Sequence, residues 1–205
     1  MNVVPEAVVF DLGDVLIDWN PRHLYRKLFP DDEAAMERFL TDVCSSEWNL
    51  AQDAGRTLAE GTALLVAEHP DKAALIEAYY GRWDEMVAGS IQGTVEILAR
   101  LRAAGVRVLA LTNWSAETFV RARRRFAFLD WFEGIVVSGA ERMVKPDPRI
   151  YRLLAERYRL TPGRSVFIDD LPRNVEAATA AGLIGLRFVG AGKLAEDLRG
   201  LGLPA

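Results

Sequence analysis

The chain predicts an α/β fold, a parallel sheet layered between helices, with an all-helical unit inserted after the first strand. Three observations lead there. Short β-branched runs alternate with helical stretches along most of the sequence, one long segment after the first run lacks any convincing strand, and aspartates stand at the ends of two widely separated runs.

The first strand, Val8 to Phe10, leads directly into Asp11-Leu12-Gly13-Asp14-Val15-Leu16. Further strands are expected at Val106 to Leu111, Ile135 to Val137, Ser165 to Ile168 and Gly185 to Val189, with helices at Ala116 to Arg125, Pro148 to Arg159 and Pro172 to Ala181 between them. Strand alternating with helix means parallel pairing, because a parallel neighbour is reached only by a crossover, and hence three layers. Gly105 and Gly182 each end a helix just before a strand.

Residues 17–88 break this alternation. Helical spacing covers Asp31 to Val43, with acids in its first turn, then Thr57 to Glu68 and Asp71 to Met86. The division expected is a core of 1–16 and 89–205 and a helical cap of 17–88. Because the cap leaves the core beside Asp11, it is placed to act as a lid. Within it, Glu47-Trp48-Asn49 and Asp53-Ala54-Gly55-Arg56 form a polar, aromatic, glycine-containing stretch. Two readings stay open for it, a turn closing over substrate and a core tryptophan with a capped helix start.

Composition narrows the class. Of 205 residues, 50% are hydrophobic and 26% charged, with a net charge of −4, which argues against long disorder and gives no basic footprint for nucleic acid. The one dense basic run, Arg121-Ala122-Arg123-Arg124-Arg125, reads as a solvated helix face. Cys44 stands alone, so no intramolecular disulfide is possible, and it reads as a small core residue. With no basic leader and no apolar run near about 18 residues, a cytoplasmic protein without a membrane span is expected. His23 and His69 have no partners nearby in sequence; Tyr79, Tyr80 and Trp83 are read as the lid's own core, with monomer and homodimer both open.

The acids carry the chemistry. In an open α/β sheet the ligand crevice lies outside the carboxyl ends of the strands, where Asp11 can meet the acidic pair of Val166-Phe167-Ile168-Asp169-Asp170. Three carboxylates in one volume repel unless a cation joins them. Mg²⁺, which prefers oxygen ligands, is the cofactor expected.

Four segments now bear on family: Phe10-Asp11-Leu12-Gly13-Asp14-Val15-Leu16, Leu109-Ala110-Leu111-Thr112-Asn113, Lys145-Pro146-Asp147-Pro148, and Phe167-Ile168-Asp169-Asp170 with Asn174 behind. In this order, with a helical block after the first, they resemble the haloacid dehalogenase superfamily of hydrolases. The resemblance covers nearly the whole chain and is nearest to the small phosphatase-like branch that also contains the 2-haloacid dehalogenases. It implies a Rossmann-like core with a helical cap, and hydrolysis of a small phosphorylated metabolite. Asp11 would be the nucleophile, forming a covalent aspartyl intermediate. Thr112 and Asn113 would hold phosphoryl oxygens, and Lys145 would meet the same oxygens and pair with the nucleophile. The metal ligands implied are Asp11, the Gly13 carbonyl, Asp170 directly and Asp169 directly or through water, with Asn174 orienting them.

Two departures matter. The dehalogenases of this branch work without metal, lack the metal-binding aspartate and carry Tyr-Gly-Thr where this chain has Gly13-Asp14-Val15, so phosphate ester hydrolysis is the reading and carbon–halogen cleavage the alternative. Most phosphatases of the family also carry an acid two positions after the nucleophile, as proton donor to the leaving group. Here that position is Gly13, and Asp14 lies one residue out of step, which turns a side chain to the opposite face of an extended segment. The same glycine occurs among members of the glucose-1-phosphate phosphatase type, which suggests a sugar 1-phosphate, whose anomeric oxygen leaves readily. A catalytically silent protein binding a phosphorylated ligand or a protein partner is the third reading.

Overall fold

The computed structural model describes residues 4–205. Strand β1 (Ala7–Phe10) is buried along its whole length. Val8 and Phe10 pack into one apolar cluster and Ala7 and Val9 into another, so the strand serves both faces of a sheet.

After β1 the chain turns through residues 11–16 into β2 (Ile17–Trp19), and helices α1 (Arg22–Leu28), α2 (Glu33–Asp42), α3 (Ser46–Asp53), α4 (Leu58–Glu68) and α5 (Ala73–Gly81) follow before β3 (Val87–Ser90). Side chains start three of them: Asp32 accepts from the Ala35 N–H, Ser45 from Trp48 and Thr57 from Glu60. The segment expected as all-helical thus opens and closes on strands. β2 and β3 pair antiparallel as a two-stranded ribbon that carries the helices away from the core. Three residues are too few to display a period of two, which hid β2. The single helix expected over Asp71 to Met86 is also corrected: α5 covers only its middle, between 3₁₀ turns at Pro70–Lys72 and Trp83–Met86. Gly81 ends α5, and the following turn drives Trp83 and Met86 into the core.

The remaining chain alternates as expected through α6 (Gln92–Ala103), β4 (Arg107–Thr112), α7 (Ala116–Arg125), β5 (Gly134–Val137), α8 (Ser138–Glu141), α9 (Pro148–Tyr158), β6 (Ser165–Asp169), α10 (Pro172–Ala180), β7 (Ile184–Arg187) and α11 (Ala191–Gly200). The five long-range strands form one parallel sheet in the order β5-β4-β1-β6-β7. β7 begins and ends earlier than the expected Gly185 to Val189, because its partner β6 offers Val166 opposite Ile184 and stops at Asp169.

The arginine run is corrected as well. It is not simply a solvated face: Arg121 donates to the Tyr80 carbonyl at 3.0 Å and pairs with Asp84, and Arg125 donates to the carbonyls of Asp84 and Val87. Core helix α7 therefore grips the end of the helical unit. Tyr79, Tyr80 and Trp83 are buried, as their reading as lid core anticipated, and so is Cys44, whose thiol burial pushes up to about 12. Among the described residues no helix is long and apolar enough to cross a membrane.

Candidate active site

Sheet order builds the site. β1 lies between β4 and β6 in register, with Phe10 opposite both Ala110 and Ile168, so the chain leaves all three strands at one edge. Asp11 stands there, its N–H donating to the Ile168 carbonyl at 2.8 Å and its carboxylate Oδ1 accepting from the Leu12 N–H at 2.7 Å. Thr112 is buried at the end of β4 and Asp169 at the end of β6.

Lys145 reaches this edge from the loop before α9. Its side chain is 1% exposed, and its ammonium lies 2.9 Å from Asp11 Oδ2 and 2.7 Å from Asp169 Oδ2, above the Phe167 ring. Asn113 fixes the loop that delivers it: the amide Nδ2 donates to the Lys145 carbonyl at 3.0 Å and Oδ1 accepts from the Lys145 N–H at 2.7 Å. Both polar atoms of that amide thereby bond the lysine backbone, and Asn113 also lines the cavity beside Gly13.

Asp169 is saturated. Oδ2 takes Lys145 and Asn174, and Oδ1 takes the Leu171 N–H at 2.9 Å and Asn174 at 3.0 Å. Asp170, half-buried, forms no salt bridge among the described residues. Carboxylate oxygens of Asp11, Asp169 and Asp170 lie within 4.8 Å of one another. The Asn174 Oδ1 is buried without a hydrogen-bond donor beside them. Converging hard oxygens and one orphaned acceptor fit a hydrated divalent cation, whose waters are donors.

Electrostatics agree with that fit. Burial pushes the Asp11 carboxyl up to about 7, against the pull of Lys145 and with a further push from Asp169. Burial opposes the Lys145 ammonium, but Asp11 and Asp169 outweigh it and hold its pKa above the ordinary lysine value. Asp170 is raised by burial and then by Asp169. One cation thus serves two buried acids, and a third acid is left over.

Gly13 and Asp14 go separate ways. Gly13 borders a cavity of about 60 Å³ whose other walls include Asn113, Trp114 and Ser115 of the core and Asn49, Asp53, Tyr80 and Trp83 of the helical unit. Asp14 adopts a left-handed φ of 55° and lines a different, larger cavity with Asn20, Arg22 and Ser45. Burial, then Asp170 and Asp18, raise Asp14 to about 6 while His23 opposes them; His23 itself pairs with Asp18 at 2.8 Å. His69 forms no salt bridge among the described residues and only ends α4, its N–H donating to the Leu65 carbonyl at 3.0 Å.

The polar stretch of the helical unit divides between its two readings. Trp48 packs on Tyr79 and Tyr80 as core, while Asn49 and Asp53 face the cavity. Sequence reasoning missed Trp114 and Ser138. Ser138 Oγ accepts from the Trp114 N–H at 2.9 Å and donates to the Asp53 carbonyl at 2.6 Å, joining the two units. No local signal marks such a serine.

The sequence model of the haloacid dehalogenase-like hydrolases matches residues 5–182. The chain belongs to that family. A sesquiterpene phosphatase of Aspergillus oryzae is 27% identical over 203 residues, 96% of each chain. Among solved structures, a haloacid dehalogenase family enzyme of Bacteroides thetaiotaomicron superposes with a TM-score of 0.73 at 21% identity, covering 96% of this chain and all of that one. It has also been crystallised with magnesium and inorganic phosphate. The L-2-haloacid dehalogenase of Xanthobacter autotrophicus superposes with a TM-score of 0.65 at 19% identity, covering 98% of this chain and 84% of its own. This haloacid dehalogenase-like hydrolase is therefore an enzyme of the phosphatase-like kind, and its parallel sheet and flanking helices are those of the family.

Proposed function

We propose that this hydrolase cleaves a phosphate monoester of a small metabolite through a phospho-aspartyl intermediate on Asp11, with Mg²⁺ as cofactor. The observation that carries the reading is the cluster itself, in which Lys145 joins Asp11 to Asp169 and leaves Asp170 as an unpaired acid within 4.8 Å. A Mg²⁺ held by Asp11, Asp170 and the Gly13 carbonyl, with Asp169 acting through water, would neutralise phosphoryl oxygens during transfer. Asp11 attacks phosphorus, the bond to the leaving oxygen breaks, and water then attacks the same phosphorus to free phosphate and restore Asp11. Lys145 stabilises charge on the phosphoryl oxygens, and Asn113 keeps it at the correct height.

The substrate side is aromatic and polar together. Trp19, Tyr80, Trp83 and Trp114 line the cavity over Gly13, with Asn49 and Asp53 among them. The cleft is small, about 60 Å³, and lies between the core and the helical unit, so the helical unit's side chains would meet the leaving group. The A. oryzae relative is named a sesquiterpene phosphatase, and the resemblance of Gly13 to the glucose-1-phosphate phosphatase type suggests a sugar phosphate; both readings take a small phosphorylated molecule.

Phosphate release from p-nitrophenyl phosphate, in Mg²⁺ and in EDTA, tests the reading. Activity lost in EDTA and in Asp11→Asn supports it; activity surviving both overturns it. Halide release from a 2-haloacid in EDTA would support the dehalogenase alternative instead.

A further inference from the structure

We propose that Asp53, carried by α3 of the helical unit, is the proton donor to the leaving group and the proton acceptor for the attacking water, the role for which Gly13 has no side chain. The inference rests on the phosphatase reading above and names the residue that completes it.

The space over Gly13 is open. A Cβ built there meets no atom within 4 Å, and Asp53 lines the same cavity that Gly13 borders. Asp53 is 9% exposed, yet it forms no salt bridge among the described residues; its only side-chain partner is Asn49, whose Nδ2 donates to Oδ2 at 3.1 Å. A buried carboxyl with no ion-pair partner is expensive as an anion and stable as an acid. That is the state a proton donor needs.

Its position is set by the core as much as by the helical unit that carries it. Ser138 Oγ holds the Asp53 carbonyl at 2.6 Å. Two residues on, Gly55 has φ of 101° and presses so closely on Arg142 and the Gly139 carbonyl that a Cβ would lie 2.8 Å and 3.1 Å from them. These contacts fix the Asp53 end of α3 against the core.

The surroundings tune the group. Burial raises Asp53 to about 7, while the Ser115 N–H and the more distant Lys145 ammonium pull it down. Around it are the Tyr79 and Tyr80 phenols of α5, the uncharged Ser115 just before α7 and Thr118 within it, with Lys145 acting from farther off; Arg56, just after α3, donates to Gln52 Oε1. A donor of this strength is half-protonated near neutrality, where general acid–base assistance contributes about 10² to 10⁴-fold.

The proton cycle closes. As the Asp11 oxygen bonds to phosphorus and the ester oxygen departs, protonated Asp53 gives its proton to that oxygen, which leaves as an alcohol. Asp53, now a carboxylate, takes a proton from water as the water oxygen bonds to phosphorus and the bond to Asp11 breaks. Phosphate leaves, and both acids return to their starting states.

The test compares kcat/KM for an alkyl ester, β-glycerophosphate, with that for p-nitrophenyl phosphate, whose phenolate departs unaided, in wild type and Asp53→Asn. The proposal expects the alkyl loss to exceed the aryl loss by about 10²-fold or more, and the wild-type alkyl profile to fall on the alkaline side with an apparent pKa near 7, a limb that Asp53→Asn removes. Equal losses on both esters, or a wild-type alkyl profile without that limb, overturn it. Failure of the phosphatase reading looks different, because then either the wild type would cleave neither ester or Asp11→Asn would retain aryl phosphate cleavage.

Discussion

The Lys145 ammonium sits between Asp11 and Asp169, 2.9 Å from one carboxylate and 2.7 Å from the other, in a site almost closed to water. One lysine cation thereby makes two buried acids tolerable and aims one of them at the crevice. Removing the cation strands both charges. Lys145→Met is expected to cost about 3–5 kcal/mol of folding stability, the scale for breaking a buried ion pair, read by urea unfolding in EDTA. The same variant should lose about 10² to 10³-fold in kcat, as when one preorganised donor is removed. A variant as stable as wild type would show that the pair is not held as charges.

Asn113 acts through Lys145. Asn113→Ala frees the lysine loop at both its N–H and its carbonyl, and kcat should fall with little change in the Mg²⁺ dependence of the rate. If Asn113 instead gripped the phosphate with its amide, KM would rise while kcat held.

On the proposed function, Asn174 and the saturated Asp169 support the Mg²⁺ site. Asn174→Ala removes both hydrogen bonds to Asp169 and the orphaned buried oxygen, so the Mg²⁺ concentration giving half-maximal phosphate release should rise about 10 to 100-fold. An unshifted Mg²⁺ titration would remove Asn174 from the site's support.

How much of this was legible beforehand depends on range. Asp11, Asp169 and Asp170 were legible because each follows an apolar run, and the step from run to acid is local. The five-stranded sheet was legible for the same reason, through its alternation with helices. The β2–β3 ribbon was not, because Ile17–Trp19 pairs with a segment some 70 residues on and is too short to show a pattern of its own. Nor was the true partner of Asn113, which lies 32 positions away on a loop with no periodic signal. Asp53 was visible as a polar residue near a glycine, but which way it faces follows from the fit of Gly55 against Arg142 and Gly139, a contact between units that no sequence window contains.

Asp53 also leaves a thermodynamic signature. Its folded pKa of about 7 lies above the ordinary 3.8, so between those values the folded protein keeps a proton that the unfolded chain has lost, and stability falls as pH rises. The amide of an Asp53→Asn variant cannot ionise. The Tm advantage of that variant over wild type should therefore grow from pH 4 to pH 7 and level off above, in a thermal series with matched buffers. A constant difference across that range would mean that Asp53 folds as an ordinary carboxylate.

Gly55→Ala tests the seating of α3. Its φ of 101° and the 2.8 Å approach to Arg142 Cγ predict a loss of about 1–3 kcal/mol in urea unfolding, and Arg142→Ala should restore only part of it because the backbone strain remains. Full restoration would assign the effect to the side-chain clash alone.

The proposed function turns on a covalent bond between phosphorus and Asp11. The direct measurement is an acid quench during turnover of an aryl phosphate with Mg²⁺, followed by borohydride reduction and peptide mass spectrometry, which converts an acyl-phosphorylated aspartate to homoserine. Homoserine at position 11, absent without substrate and absent in Asp11→Asn, is the result predicted; steady turnover with the Asp11 peptide unmodified at every quench time would contradict it.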